Sequence, residues 1–288
     1  MFDFRYHVVS LAAVFLALVV GIVIGVGLSG QGVLQDSERQ ALNDRIAGLN
    51  AQLASANTRL EQQRAAESFV DAAYPAVMAD RLAGKHVVVV FVGRPSKSLG
   101  AIEQAIAEAG GTVSRTRILK VPIDDAALAG KVDSNAELVA LASPDDVHDI
   151  GSVLGRELLD GGDAPLWDAL AGQLVIEQQN RETDMPADGI VVVRTADLQQ
   201  GPTARFLSGL YAGLTGSVPA VWVDTGKGSD APARHPAGFA SVRGPRTELG
   251  RVALVVLLET GVRGDYGPGA DTVVPPIEPV PAASPEGG

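Results

Sequence analysis

Residues 8–28 read VVSLAAVFLALVVGIVIGVGL, and no charged side chain occurs between Arg5 and Asp36. A helix rising about 1.5 Å per residue over this run is roughly 30 Å long, the thickness of a bilayer's hydrocarbon core. Such a helix satisfies its own backbone polar groups, and Ser10, the one polar side chain in the run, can bond back to a preceding carbonyl. A cleaved secretory signal is the rival reading. Its apolar core is usually about 7–15 residues long and is followed by a small-x-small cleavage site, and neither feature matches. The run predicts a single-pass anchor in the lipid bilayer, marked by Val8, Leu11, Phe15, Leu18, Gly21, Gly25 and Leu28, after a short N-terminus of residues 1–7. Arg5 and the α-amine precede the span, whereas Asp36 and Glu38 follow it. Counting positive charges places the N-terminus in the cytoplasm and the remaining chain on the extracytoplasmic side of the cytoplasmic membrane. Gly21-x-x-x-Gly25 has the spacing of a close helix–helix contact.

Beyond the span the apolar period changes. Leu42, Ile46, Leu49, Leu53, Ala56 and Leu60 alternate spacings of four and three, and Gln63 continues the pattern. They form a heptad seam with Leu42, Leu49, Ala56 and Gln63 at d and Ile46, Leu53 and Leu60 at a. A stripe of this kind on a helix of residues 34–70 needs cover from water. A second copy would give a parallel homodimer, because a common membrane aligns the chains. Folding back onto the chain's own domain, or a coiled coil of another envelope or septal protein, are the alternatives.

Residues 85–270 carry an α/β pattern. HVVVVFVG at 86–93, GIVVVR at 189–194 and PAVWVD at 219–224 are Val-rich runs of strand length. Weaker strands are expected at 112–118 and 239–242, and helices at 98–109, 145–159, 166–175, 203–215 and 247–258. Alternation of strands and helices predicts a mainly parallel, Rossmann-like three-layer domain of four or five strands, with residues 120–145 partly loop. The Pro-rich tail, residues 271–288, cannot continue a helix or a central strand and is expected to be largely disordered.

Chemistry is sparse in the linear pattern. The absence of cysteine removes disulfides, thiolate catalysis and Cys-based metal sites. A net charge of -11, with no run of basic residues, argues against nucleic acid as a partner. Neither a GxGxxG, a Walker nor a G-x-S-x-G element is present, so no enzyme is expected. Gly93 and Ser96 after the first strand and Asp224 at the end of PAVWVD are the candidate pocket residues, at strand ends where α/β sites collect. Asp145, Asp146, His148 and Asp149 suit a capped helix start as well as a hard metal. For copper, the candidates are His86, His148 and His235, which form no cluster in sequence with one another or with Met1, Met78 and Met185. The residues themselves call for no cofactor.

The opening RYHVVSLAAVFLALVVGIVIGVGL and the ending Gly264-Asp265-Tyr266-Gly267-Pro268-Gly269-Ala270 resemble the actinobacterial family named after the mycobacterial copper transport protein B. The resemblance implies that Arg5–Leu28 matches the family's single anchor and that the protein serves copper export or resistance in the envelope. Some members are linked instead to a septal complex regulating peptidoglycan hydrolysis and cell separation, with the stalk matching Leu42–Gln63 as a coiled-coil partner. Asp265 and Pro268 stand where some members have His and Thr, which removes an imidazole and a hydroxyl from any copper site carried over from the family.

Overall fold

The computed structural model describes residues 4–28, 31–180, 185–224, 235–267 and 270–278. They divide into two units, Met1–Ser68 and Phe69–Gly288.

The first unit is helical. α1 (Phe4–Leu28) contains Val9–Val26, a window of mean hydropathy 2.9 with none of it buried. A helix that is apolar on every side needs either a protein core or lipid around it, and this one has no protein core. α2 (Gln31–Met78) is a single helix of 48 residues. Residues 39–69 are exposed along it, including Leu42, Ile46, Leu49, Leu53, Ala56, Leu60 and Gln63. At the end of the heptad seam the helix surface turns polar, with Gln63 donating to Glu67 at 2.8 Å across one turn.

The second unit starts inside α2 rather than at the first strand. Tyr74 and Val77 of its last turns are partly buried, and Met78 is 1% exposed within the core. Six strands run parallel: β1 (His86–Val92), β2 (Thr112–Leu119), β4 (Gly189–Arg194), β5 (Ala220–Asp224), β6 (Ala240–Val242) and β7 (Asp265–Tyr266). β3 (Val175–Asn180) lies antiparallel on β2, and the order is β3-β2-β1-β4-β5-β6-β7. The sequence expectation of four or five strands falls short of these seven. β3 escapes because VIEQQN carries only two apolar residues and directly continues a helix, so only pairing with β2 makes it a strand. β7 has just two residues, too few for any periodicity.

Alternation along β1 divides the core. Val88, Val90 and Val92 face one cluster, and Val87, Val89 and Phe91 face the other. α3 (Ser98–Glu108) and α9 (Glu248–Thr260) cover the second face, together with the end of α2. α4 (Asp125–Asp133), α5 (Ala136–Leu141), α6 (Val147–Asp160), α7 (Pro165–Leu174) and α8 (Gly201–Gly213) cover the first. α4 and α5 occupy the stretch expected to be partly loop. Each starts where a side chain takes over an orphan backbone donor: Asp124 accepts from Ala127 N, and Asn135 from Glu137 N. Beyond β7, Gly267 N donates to Val273 O and Arg81 donates to Glu278 O, so residues 273 and 278 of the Pro-rich tail are tied to the domain.

Candidate functional site

The strand order reverses between β1 and β4, the position where α/β sheets commonly open a ligand crevice. Here the segments that follow β1 and β4 approach each other closely. Gly93 follows β1 at φ 117, and a Cβ built on it would lie 2.8 Å from both Ala196 Cβ and Thr195 Oγ1. Thr195 Oγ1 also accepts from Arg94 N at 2.8 Å and lies within hydrogen-bond distance of the carbonyls of Val92 and Arg94. Ser96 is used locally: its Oγ accepts from Ser98 N at the start of α3. Asp224 ends β5, and its side chain lies outside the described residues. A cavity of about 200 Å³ occurs elsewhere, beside Ser217, Pro219, Leu257 and Arg263.

The three candidate histidines stand in different surroundings. His86, at the start of β1, donates its backbone N–H to Asp188 Oδ2 at 2.8 Å, and its Nδ1 lies 3.6 Å from the same oxygen. His148 is exposed in the first turn of α6, where Asp146 caps its backbone N–H at 2.9 Å and Asp149 accepts from Ser143 N. The Asp146 and Asp149 side chains thus serve the helix start. Among the described residues no group of three or more His, Asp or Glu side chains is placed to hold a metal.

His235 has a more suggestive setting. Registry places Trp222 of β5 beside Ser241 of β6, and Ser241 beside Asp265 of β7. Cross-strand partners project on the same face, so these three side chains form one row. His235 closes it, with Nε2 3.0 Å from Asp265 Oδ1. The same carboxylate oxygen accepts from Ser241 Oγ, which belongs to a residue only 1% exposed. Trp222 packs edge-on against Tyr211 and Phe239, and the Arg194 guanidinium lies 5.8 Å from its ring centre. Trp222 Nε1 is buried and has no hydrogen-bond partner among the described residues. Burial raises the Tyr211 phenol well above its ordinary value, against a smaller lowering by Arg194, so the hydroxyl stays neutral.

Sequence reasoning marked His235 and noted Asp265 in the terminal motif, but nothing linked them, and Ser241 carried no signal at all. All of α9 separates Asp265 from Ser241, so only the sheet brings them together.

Leu11, Phe15, Leu18, Gly21 and Gly25, expected from the sequence to mark the anchor, lie along α1, and a Cβ on either glycine would meet nothing within 4 Å. Val8 and Leu28 are on the same helix, with their side chains outside the described residues.

Comparison with known proteins gives a consistent picture along the chain. Proteins called copper transporter MctB from Mycobacterium tuberculosis and Mycobacterium bovis are each 29% identical to it, over 93% of this chain and 97% of theirs. The Mycobacterium leprae protein of the same name is 30% identical with the same coverage. The model of the family described as "Copper transport outer membrane protein, MctB" matches residues 1–275, so the anchor, the long helix and the α/β domain all fall within it, and the chain belongs to that family.

Proposed function

We propose that this chain is a non-catalytic copper-homeostasis protein of the cell envelope, anchored once in the cytoplasmic membrane with its α/β domain on the extracytoplasmic side. The observation carrying this reading is the family match from residue 1 to residue 275, which takes in the anchor as well as the domain. The family description speaks of an outer membrane, but the one candidate span among the described residues is a helix, Val9–Val26. An open seven-stranded sheet with helices on both faces is also unlike a closed outer-membrane barrel. One helix cannot enclose a pore. Copper would therefore be bound by the domain or handed to partners, not conducted by this chain alone. The reversal of strand order between β1 and β4 supports describing the domain as Rossmann-like.

The second reading is a scaffold or regulator of a septal peptidoglycan-hydrolysis and cell-separation complex. The exposed seam from Leu42 to Gln63 favours it, since unpaired apolar residues at heptad spacing suit a parallel homodimer or the coiled coil of an envelope partner.

Deleting the gene and measuring cell-associated copper separates the two readings. Copper accumulation and sensitivity, reversed by the full chain but not by a chain lacking residues 1–33, support the copper role. Unchanged copper content with chains of unseparated cells would sink it and favour the scaffold.

A further inference from the structure

We infer that the heptad face of α2 docks an acidic amphipathic helix of another protein in preference to a second copy of this chain, taking from the second reading above that the seam is an interface.

The seam is apolar through Leu42, Ile46, Leu49, Leu53 and Leu60, and all five are 47–61% exposed. In a two-stranded coiled coil the residues flanking such a seam, at e and g, meet the flanks of the other helix and decide which partner is accepted. Here the e positions hold Asn43, Asn50, Asn57 and Arg64, and the g positions hold Arg45, Gln52 and Arg59. These flanks carry cations and no anion, because Asp44 and Glu61 fall at f and b, away from the seam. Neither Arg45 nor Arg59 has an acidic residue three or four positions away on its own helix, so neither charge is balanced within α2.

A second copy answers this pattern poorly. Copies held by α1 in one membrane run parallel, and each g residue then meets the following e residue of the other helix. Arg45 would face Asn50, Gln52 would face Asn57, and Arg59 would face Arg64, so a homodimer gains no ion pair and sets like charges together on both sides. A parallel pair also sets each seam residue against itself. Ala56 would meet Ala56 and Gln63 would meet Gln63, leaving one layer underfilled and the next one polar. A different helix with Glu along its flanks removes both faults. Its carboxylates pair with Arg45, Arg59 and Arg64 and accept hydrogen bonds from the Asn amides, and a large apolar side chain can stand across from Ala56.

The test uses the full-length chain in detergent micelles and two labelled synthetic helices, each with Ile at a and Leu at d. One carries Glu at every e and g position and the other Lys, so each repels its own copies. Fluorescence anisotropy should show the Glu helix binding at least about tenfold more tightly than the Lys helix, with the preference shrinking in high salt. The whole chain has a net charge of -11, so bulk attraction favours Lys, and a preference for Glu reports the local flanks. Arg45→Glu, Arg59→Glu and Arg64→Glu together should reverse the preference, with circular dichroism showing that α2 is retained. Leu49→Asp with Leu53→Asp should remove the binding that depends on the seam. Equal affinity for the two helices, or a preference for Lys, overturns the inference. A stable dimer of the chain alone that resists the Glu helix and is lost on Leu49→Asp with Leu53→Asp also overturns it, but keeps the coiled-coil reading and gives the seam to a second copy. A monomeric chain that binds neither helix overturns the inference and the coiled-coil reading together.

Discussion

Gly155 of α6 and Gly213 of α8 meet backbone to backbone: a Cβ on Gly155 would lie 2.8 Å from Gly213 Cα. One turn earlier on each helix, Gly151 packs against the backbone of Phe206 and Leu210 and Gly209 against that of His148, so two GxxxG segments interlock within the core that covers the first face of the sheet. There is no space for even a methyl group. Gly213→Ala gains about 1 kcal/mol of helix propensity, but forcing the helices apart costs more, and a net destabilisation of about 1–3 kcal/mol is expected. Gly172→Ala on α7, where a Cβ would meet nothing, should stabilise by about 0.4–1 kcal/mol. Thermal unfolding of both variants checks the contrast.

The end of α2 is pinned to the domain by Tyr74, whose hydroxyl donates to Glu108 Oε2 at 2.5 Å while Arg251 lies 4.9 Å from its ring centre. Burial alone would raise the Glu108 carboxyl. Hydrogen bonds from Tyr74 and Gln104 and the charge of Arg251 outweigh it and leave Glu108 below its ordinary 4.5. A depressed acid stabilises the fold above its unfolded pKa, and this contribution fades as pH falls through the folded value, below 4.5. Tyr74→Phe should cost about 1 kcal/mol at pH 7, and that difference should shrink as pH is lowered below 4.5, measured by denaturant titration across that range.

Glu248 has the opposite sign. Burial and a hydrogen bond with Asp71 raise it above 4.5. Its contribution is therefore greatest when it is protonated and is lost as pH rises through its folded pKa. Glu248→Gln should make the fold more stable than wild type at pH 7 and no more stable at pH 4. An unchanged pH profile of melting temperature would remove Glu248 from this account.

Arg81 ties three parts of the second unit together. Its side chain is 4% exposed, forms a 2.6 Å ion pair with Glu259 at the end of α9, and also donates to Val77 O and Glu278 O. Arg81→Met leaves Glu259 without its partner, but Glu259 is partly solvated, so a loss of about 2–3 kcal/mol is expected, at or below the usual cost of breaking a buried pair. Limited proteolysis should also cut the C-terminal tail faster in this variant.

The anchor and the heptad seam allow separate tests. Leu18→Arg places a charge near the middle of the apolar run, at a cost of about 2.5–3.5 kcal/mol for insertion, and should shift protein from the membrane fraction on carbonate extraction. Leu49→Asp together with Leu53→Asp should abolish self-association or partner capture while leaving the α/β domain's melting temperature within about 1 °C of wild type, since both residues are exposed. Unchanged crosslinking after the double substitution would refute the coiled-coil reading.

Features that depend on local period were legible in the sequence. An uninterrupted apolar run marks α1, four-and-three spacing marks the stripe on α2, and Val-rich runs mark β1, β4 and β5, because each records which side of one element must avoid water. What only the tertiary structure decided depends on meetings between distant segments. β3 is a strand because β2 offers it hydrogen bonds, not because of its own composition. Thr195 packs closely against Gly93 because β4 ends next to β1. His235 and Asp265 come within 3.0 Å because β7 joins the sheet beside β6 after all of α9 has passed. Pairing of this kind leaves no period in a linear sequence, so the His235–Asp265 pair could be found only in three dimensions.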